Sequence, residues 1–390
     1  MGAWGRGRSG GAAGRCGVFP AMLVLACLSC GETGGGEPAA GGAHHQDGGI
    51  PSPALIIVDT DTAISVPTGL DVDDDLAVLF ALASTEVGVL GLTVTYGNAP
   101  ISETYPDAVR LAALAGLAEM PVLRGAGWLQ RDLDEPTAAS RFMIDTILSL
   151  PAGTVTMVCI GPVSNLAAAL TQEPAIEERI RRVVLMGGNA RSGLVDLNFS
   201  AHPAATQMVL ASRIPKVVVP AETCIQTTFR RQELDAIRAS PDAVACEFLP
   251  RLEAFVALWT VLGPILYAGY PERADNGFFP WDVVAMAYEA TPWLFSDERC
   301  MSMHMEGAVL VTAPCEGESG DHRYRVTVPG RLDGAAFRRI ALERICAVGR
   351  AQGGEPPVLL QCPFLGETQS GHAAFSSSGM STPPGVYPVK

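Results

Sequence analysis

Lysine is almost missing from this chain: Lys216 and Lys390 are the only two in 390 residues. Lysine and arginine together number 27 against 41 aspartates and glutamates, for a formal net charge of −14 at pH 7. The basic face that nucleic-acid binding needs is therefore not available. The cysteines have no metal-ligand spacing, which argues against a zinc site. No internal repeat is visible, and the apolar stretch near the start, Val18 to Leu28, is too short for a good membrane span.

Residues 1–50 do not read as part of the fold. Arg6, Arg8 and Arg15 precede that apolar stretch, and a glycine-rich segment, Gly31 to Gly49, follows it. Basic, then apolar, then small is the order of an export signal. Val24-Leu25-Ala26-Cys27 resembles a bacterial lipoprotein processing site, which makes Cys27 the acylated residue, a lipid anchor, and the glycine segment a tether; an ordinary cleaved signal is the alternative. The expectation is an exported chain, a periplasmic or outer-surface lipoprotein, otherwise a secreted protein. Such a chain meets an oxidising compartment. Cys300 and Cys315 flank a predicted hairpin and are placed to bridge it, whereas Cys159 lies in an apolar run and reads as core.

What the chain has in quantity is aspartate, in two tight groups. Asp59-Thr60-Asp61 closes the apolar run Ala54 to Val58, and Asp71-Val72-Asp73-Asp74-Asp75 comes shortly after. An apolar run of that kind reads as a buried strand, and open α/β sheets bind ligands beyond the carboxyl ends of their strands. Carboxylates crowded there repel one another unless a cation or a proton intervenes. Calcium or magnesium, which take oxygen ligands, would supply the cation. The other reading is a solvated acidic turn that caps a helix.

From Ser52 short β-branched runs alternate with longer helical patterns, the signature of a parallel sheet covered by helices. The pattern predicts strands over Leu55–Val58, Val87–Tyr96, Thr154–Ile160, Arg182–Met186 and Lys216–Val219. It predicts helices over Asp74–Ala83, Tyr105–Gly116, Arg141–Leu150, Ser164–Leu170 and Pro203–Ala211. A helical region from Gln232 to Tyr270 follows, then a helix opened by Trp281-Asp282, a β-rich section from Met301 to Val328 and a last helix, Gly334–Cys346. The expected class is α/β: an open, mostly parallel sheet with helices on both faces, a helical insertion and a small C-terminal β section. Residues 51–350 are its single domain, and 351–390 are an extension, disordered in its Ser-, Gly- and Pro-rich last part.

Several strand ends carry a pattern more specific than composition. Asp59-x-Asp61 is followed in order by Asp73-Asp74, Thr95-Tyr96-Gly97-Asn98, Ile160-Gly161-Pro162-Val163-Ser164-Asn165, Leu185-Met186-Gly187-Gly188, Asp196-Leu197-Asn198 and Trp281-Asp282. Together these resemble the inosine-uridine preferring nucleoside hydrolases. The resemblance implies calcium-dependent hydrolysis of the N-glycosidic bond of a ribonucleoside to ribose and free base. It implies that Asp61, Asp74, the Ile160 carbonyl and Asp282 hold calcium, and that Asp61 also activates a metal-bound water. Asp73 and Asn198 would bind ribose hydroxyls, with Asn98 and Asp196 nearby and Met186 lining the sugar pocket. Asp59 would support them, and Asp71 and Asp75 remain as solvated or capping residues. A small nucleoside is the expected partner, and relatives are often homo-oligomers. The chemistry suits these residue types: carboxylates near the sugar stabilise an oxocarbenium-like state, and carboxamides both donate to and accept from hydroxyls.

The chain also departs from the family pattern. Thr62 to Val72 lengthen the spacing between the aspartate groups, and Pro67 and Gly69 favour a loop there. Asp196 replaces a usual glutamate, and Asn189 is the one candidate for an asparagine usual between Met186 and Asp196. Trp281 stands where many relatives place a histidine, and some purine-preferring members carry tryptophan there to stack on the base. Trp128 is a second stacking candidate, with a pocket rim as the plainer reading. His202 falls at a helix-cap position. Two other functions fit parts of the pattern. A non-catalytic nucleoside- or sugar-binding lipoprotein would retain the fold. A haloacid-dehalogenase-type phosphatase also opens on a strand ending in Asp-x-Asp, but Ala63, the apolar setting of Lys216 and the early Asp73-Asp74 pair count against it.

Overall fold

The first strand sets the architecture. Ile56 and Val58 of β1 (Ala54–Thr60) enter one hydrophobic core and Ile57 enters another on the opposite face, so the strand is buried on both sides. The structure is a computed structural model that describes residues 52–350 except 129, 131, 190–195, 271, 272, 275, 276 and 318–321. The expectations for residues 1–50 and for 351–390 lie outside the described residues.

After β1 come α1 (Asp73–Leu82), β2 (Val87–Val94), α2 (Ile101–Leu114), β3 (Val122–Arg124), α3 (Ala138–Ser149), β4 (Val155–Cys159), α4 (Ser164–Gln172) and β5 (Ile180–Met186). Then follow α5 (Leu197–Ala201), α6 (Pro203–Ala211), β6 (Lys216–Val219), α7 (Ala221–Cys224), α8 (Arg231–Arg238), α9 (Leu249–Leu266) and α10 (Trp281–Ala290). The described chain closes with β7 (Phe295–Ser296), β8 (Arg299–Glu306), β9 (Val309–Pro314), β10 (Arg325–Val328), β11 (Arg331–Leu332) and α11 (Gly334–Ala347). The main sheet has nine strands in the order β3-β2-β1-β4-β5-β6-β10-β8-β9. From β3 to β10 the pairings are parallel. The strand order reverses between β1 and β4, and the crevice at such a switch point is where open α/β sheets bind ligands.

Two predicted elements coincide with the observed ones, the strand Lys216–Val219 and the helix Pro203–Ala211. The β-rich C-terminal section extends the main sheet, because β10 pairs with β6 through Thr327 and Val217 and β8 and β9 add antiparallel beyond it. Cys300 and Cys315 form the expected disulfide at the open end of the β8–β9 hairpin, and Cys159 is buried. α2 starts one turn before the predicted Tyr105 and carries Pro106 inside it. β3, at three residues, is too short to give a periodic signal. Lys216 is buried, and its Nζ donates to the carbonyls of Ser212, Ile214 and His322.

The segment Val244–Leu266 is long and apolar enough to cross a membrane by length and composition alone. Here α9 buries Leu252, Phe255 and Val256 in the core and exposes Leu258, Val261 and Ile265.

Candidate active site

Asp74 joins the two aspartate groups. Its Oδ1 accepts the Thr60 hydroxyl at 2.6 Å and the Asp61 N–H at 3.1 Å, and its Oδ2 accepts the Asn98 amide at 2.7 Å. The end of β1 and the first turn of α1 therefore meet despite the residues between them. Three aspartates in that first turn also suit the positive end of the helix dipole. The insertion packs down: Ile64 N–H donates to Asp75 Oδ2 at 3.2 Å, Ser65 N–H to Asp107 Oδ1 at 3.3 Å and Leu70 N–H to Asn98 O at 3.0 Å. Ala63 and Val66 form a small apolar cluster with Ala99.

This packing corrects the expectation for Asp75, which is fully buried beside Asp107 because the insertion covers the helix start and excludes water from it. Asp71 is half-buried, accepts the Val72 N–H just before α1 and is among the residues that line a cavity. Asp59 turns back into the sheet, where Oδ1 accepts the Thr93 hydroxyl and the Asn165 amide, each at 2.8 Å.

Asp61 sits between two glycines. A Cβ on Gly97 would stand 2.0 Å from Asp61 Oδ2, and one on Gly161 would stand 2.3 Å from Oδ1, so only glycine at both strand ends leaves room for the carboxylate. Its Oδ2 accepts the Asn98 N–H at 2.6 Å. Asp73 Oδ2 accepts the N–H of Asp282 at 2.7 Å, which ties the start of α10 to the start of α1.

Carboxylate oxygens of Asp73, Asp74 and Asp282 lie within 4.8 Å of one another; Asp73 takes part in this group, whereas the carboxylate of Asp61, expected as a ligand, is not in it, and only its backbone N–H reaches Asp74 Oδ1. Burial raises every carboxyl in the group: it pushes Asp59 up to about 7, and for Asp61, Asp73 and Asp282 neighbouring aspartates add to it. The buried Oδ1 atoms of Asp61, Asp73 and Asp282 have no hydrogen-bond partner. Buried acceptors without donors call for a ligand. Oxygens held 2.3–2.6 Å from one ion lie within about 5 Å of each other, so this donor set fits a hard divalent cation. The Asp cluster can thus bind a metal.

Above the cluster opens a cavity of about 230 Å³. Of the residues singled out in the sequence, Asp71, Asn98, Met186, Asn189, Asp196, Asn198, Trp281 and Asp282 line it, while Asp61, Asp73 and Asp74 are buried and are not among its lining residues. Asn198 Nδ2 donates to the carbonyls of Ile160 at 2.8 Å and Met186 at 3.1 Å, so the ends of β4 and β5 are pinned to α5. Asp196 caps α5, its carboxylate accepting the Phe199 N–H at 3.0 Å.

Part of the lining is aromatic. Trp281 has the ring centres of Phe279, Tyr267 and Trp259 at 5.0, 5.7 and 6.2 Å, and Trp259 and Tyr267 also line the cavity. Neither stood out in the sequence, since an apolar helix gives no sign of which aromatic faces a site. Asn189 Nδ2 donates to the Tyr270 hydroxyl at 2.8 Å. Trp128 is exposed, set edge-on to Tyr96 with ring centres 5.1 Å apart, and is not among the residues that line the cavity. His202 is buried with Nδ1 3.1 Å from Ser164 Oγ, away from the cavity lining.

A family model described as inosine-uridine preferring nucleoside hydrolase matches residues 56–339. An uncharacterised Schizosaccharomyces pombe protein is 30% identical over 218 residues, 48% of this chain and 68% of that protein. The pyrimidine-specific ribonucleoside hydrolase RihB of Escherichia coli is 29% identical over 183 residues, 40% of this chain and 58% of RihB. The match thus spans a little over half of that relative's length. A solved purine-preferring ribonucleoside hydrolase from Gardnerella vaginalis superposes with a TM-score of 0.63 at 22% identity, over 75% of this chain and 98% of its own. The plant nucleoside hydrolase PpNRh1 gives 0.61 at 21% identity, over 76% and 99%. These two likenesses show the fold.

Proposed function

The chain belongs to the inosine-uridine preferring nucleoside hydrolase family, and on that premise we infer that it hydrolyses the N-glycosidic bond of ribonucleosides, releasing ribose and free base, in a calcium-dependent reaction. The observation that carries the reading is the set of partnerless carboxylate oxygens on Asp61, Asp73 and Asp282, beside a cavity whose lining is partly aromatic. Calcium, on the residues the resemblance implies, Asp61, Asp74, the Ile160 carbonyl and Asp282, would supply charge neutralisation and a grip on vicinal hydroxyls.

The remaining steps belong to side chains. Asp61 Oδ1 is free to take a proton from the attacking water, and the Asn98 N–H on Oδ2 holds the carboxylate in place. Water adds its hydroxyl to the anomeric carbon as the bond to the base breaks. The surrounding carboxylates favour the positive charge that develops on the sugar. Asn198 commits its amide N–H to two carbonyls, leaving Oδ1 to accept from a ribose hydroxyl, with Asp73 and Asp196 as further acceptors. The departing base rests against Trp281, whose ring face raises the basicity of a ring nitrogen so that solvent can protonate it. The Cys300–Cys315 bridge supports the proposal that the chain is exported to an oxidising compartment.

The test is release of free base or reducing ribose from a panel of purine and pyrimidine ribonucleosides, with and without a calcium chelator. Turnover that the chelator abolishes and calcium restores is expected. Folded protein that binds a nucleoside without cleaving it would instead make this a binding protein on the same fold.

A further inference from the structure

One face of α9 is covered and the other is bare. Leu252, Phe255 and Val256 enter the core, and Trp259 lines the cavity. The other face carries Ala254, Leu258, Val261 and Ile265, spaced four, three and four residues apart, so they form one stripe along the helix. All four are exposed, Val261 and Ile265 at 62% and 67%. A surface helix ordinarily turns polar residues to water, and a continuous apolar stripe there marks an interaction surface.

The chain leaves the described residues at the foot of this helix. Arg350 N–H donates to Asp242 O at 2.8 Å, and its guanidinium pairs with Glu247 and donates to the Pro241 carbonyl. Glu247 comes just before α9. Beyond Arg350 the sequence runs through a linker, 351–357, that holds Gly353, Gly354, Pro356 and Pro357. The densest apolar run of the extension follows, Val358-Leu359-Leu360-Gln361-Cys362-Pro363-Phe364-Leu365. From Arg350 to Val358 an extended chain reaches at most about 26–29 Å. At 1.5 Å per residue, Leu258 lies about 14 Å and Ile265 about 24 Å along the helix from Leu249. The linker therefore spans the rise to Leu258 with slack and reaches Ile265 near full extension.

Two other occupants fit less well. The net charge of −14 opposes binding to an anionic lipid surface, and Arg238 and Arg350, which border α9, are engaged with Glu253 and Glu247. A second copy would have to displace a segment that its own short linker holds at an effective concentration in the millimolar range.

We propose that the C-terminal segment 358–365 folds back from Arg350 and docks on the exposed apolar face of α9, along Ala254, Leu258, Val261 and Ile265. The segment thereby braces the helix that supplies Trp259 to the cavity.

Cys362 lies within the segment, so one introduced thiol can trap the contact. Val261→Cys is made in the full chain, with Leu148→Cys as control, because α3 packs through Ile147 into the core on the opposite face of the sheet. Both carry Cys246→Ser, which removes the free cysteine of the described residues that is not buried. Oxidised glutathione joins two neighbouring thiols by exchange and leaves as two reduced molecules. Peptide mass mapping is expected to find a bond within one chain between the introduced thiol and Cys362, formed at least about tenfold faster for Val261→Cys than for Leu148→Cys. Adding Leu359→Asp and Phe364→Asp is expected to remove that preference. In the otherwise native chain, the same two substitutions are expected to speed amide hydrogen exchange in α9. Equal rates at the two positions, a bond formed between chains, or unchanged exchange in α9 would overturn the proposal. Binding of the native chain to phospholipid vesicles that Val261→Asp abolishes, without the trapped bond, would assign the face to lipid instead.

Discussion

Gly161→Ala isolates the positioning of Asp61 from the rest of the molecule. Gly161 does not adopt a left-handed conformation, so alanine adds no backbone strain there. The new Cβ would stand 2.3 Å from Asp61 Oδ1 and 3.0 Å from its Cγ, where ordinary contact begins at 3.4 Å. The carboxylate must therefore retreat by about 1 Å, a displacement that typically lowers a rate about 10²-fold. It cannot slide towards Gly97, which already abuts Oδ2, and turning it breaks the 2.6 Å bond from the Asn98 N–H. A 10²-fold loss corresponds to about 2.7 kcal/mol of transition-state stabilisation. The assay is steady-state base release at saturating calcium, with thermal unfolding measured in parallel and Gly269→Ala as control, since nothing lies within 4 Å of a Cβ at that position. The expected result is a kcat about 10² below wild type with KM nearly unchanged. Wild-type kcat in a folded Gly161→Ala protein would refute the assignment of Asp61 as the base.

Asp61→Asn is expected to abolish hydrolysis while the fold persists by circular dichroism; retained turnover would remove Asp61 from the chemistry. Trp281→Ala should raise KM for purine nucleosides by about 5- to 150-fold if stacking is worth about 1–3 kcal/mol per base, and equal losses for pyrimidine nucleosides would refute a stacking role. Stability with the metal chelated should fall as pH rises. Burial lifts Asp59 from 3.8 to about 7 in the folded state, so the native chain binds the extra proton between those values and its stability declines across them, by about 4 kcal/mol from this group alone. Asp61, Asp73 and Asp282 are raised as well and act in the same direction. The gain in Tm on adding calcium is therefore expected to be larger at pH 8 than at pH 5, and the reverse order would contradict the burial of uncompensated carboxylates.

Much of this protein could be read from local pattern. The alternation of β-branched runs with amphipathic stretches located five of the parallel strands, because a strand buried on both faces is a short continuous apolar run wherever it falls. The carboxylates and carboxamides of the site were legible for a related reason. They stand at strand ends next to glycines, where a polar residue after an apolar run has few purely structural explanations. Other features needed the assembled fold. The C-terminal β section could not be assigned to the main sheet, since the pairing of Thr327 with Val217 joins residues far apart in sequence. Trp259 and Tyr267 lie in or beside a helix that is apolar nearly all round, and which aromatic faces the cavity depends on what packs against it.

The aspartates divide along the same line. Their number, order and placement after β1 are properties of the sequence alone, and they led to the family and to the expectation of a hard cation. Which of them would be buried, paired or turned to the cavity was decided only in three dimensions. The insertion folds over the start of α1, hides Asp75, presents Asp71 and leaves Asp74 to join both groups. A carboxylate's role depends on which donors and how much water reach it, and tertiary packing decides both.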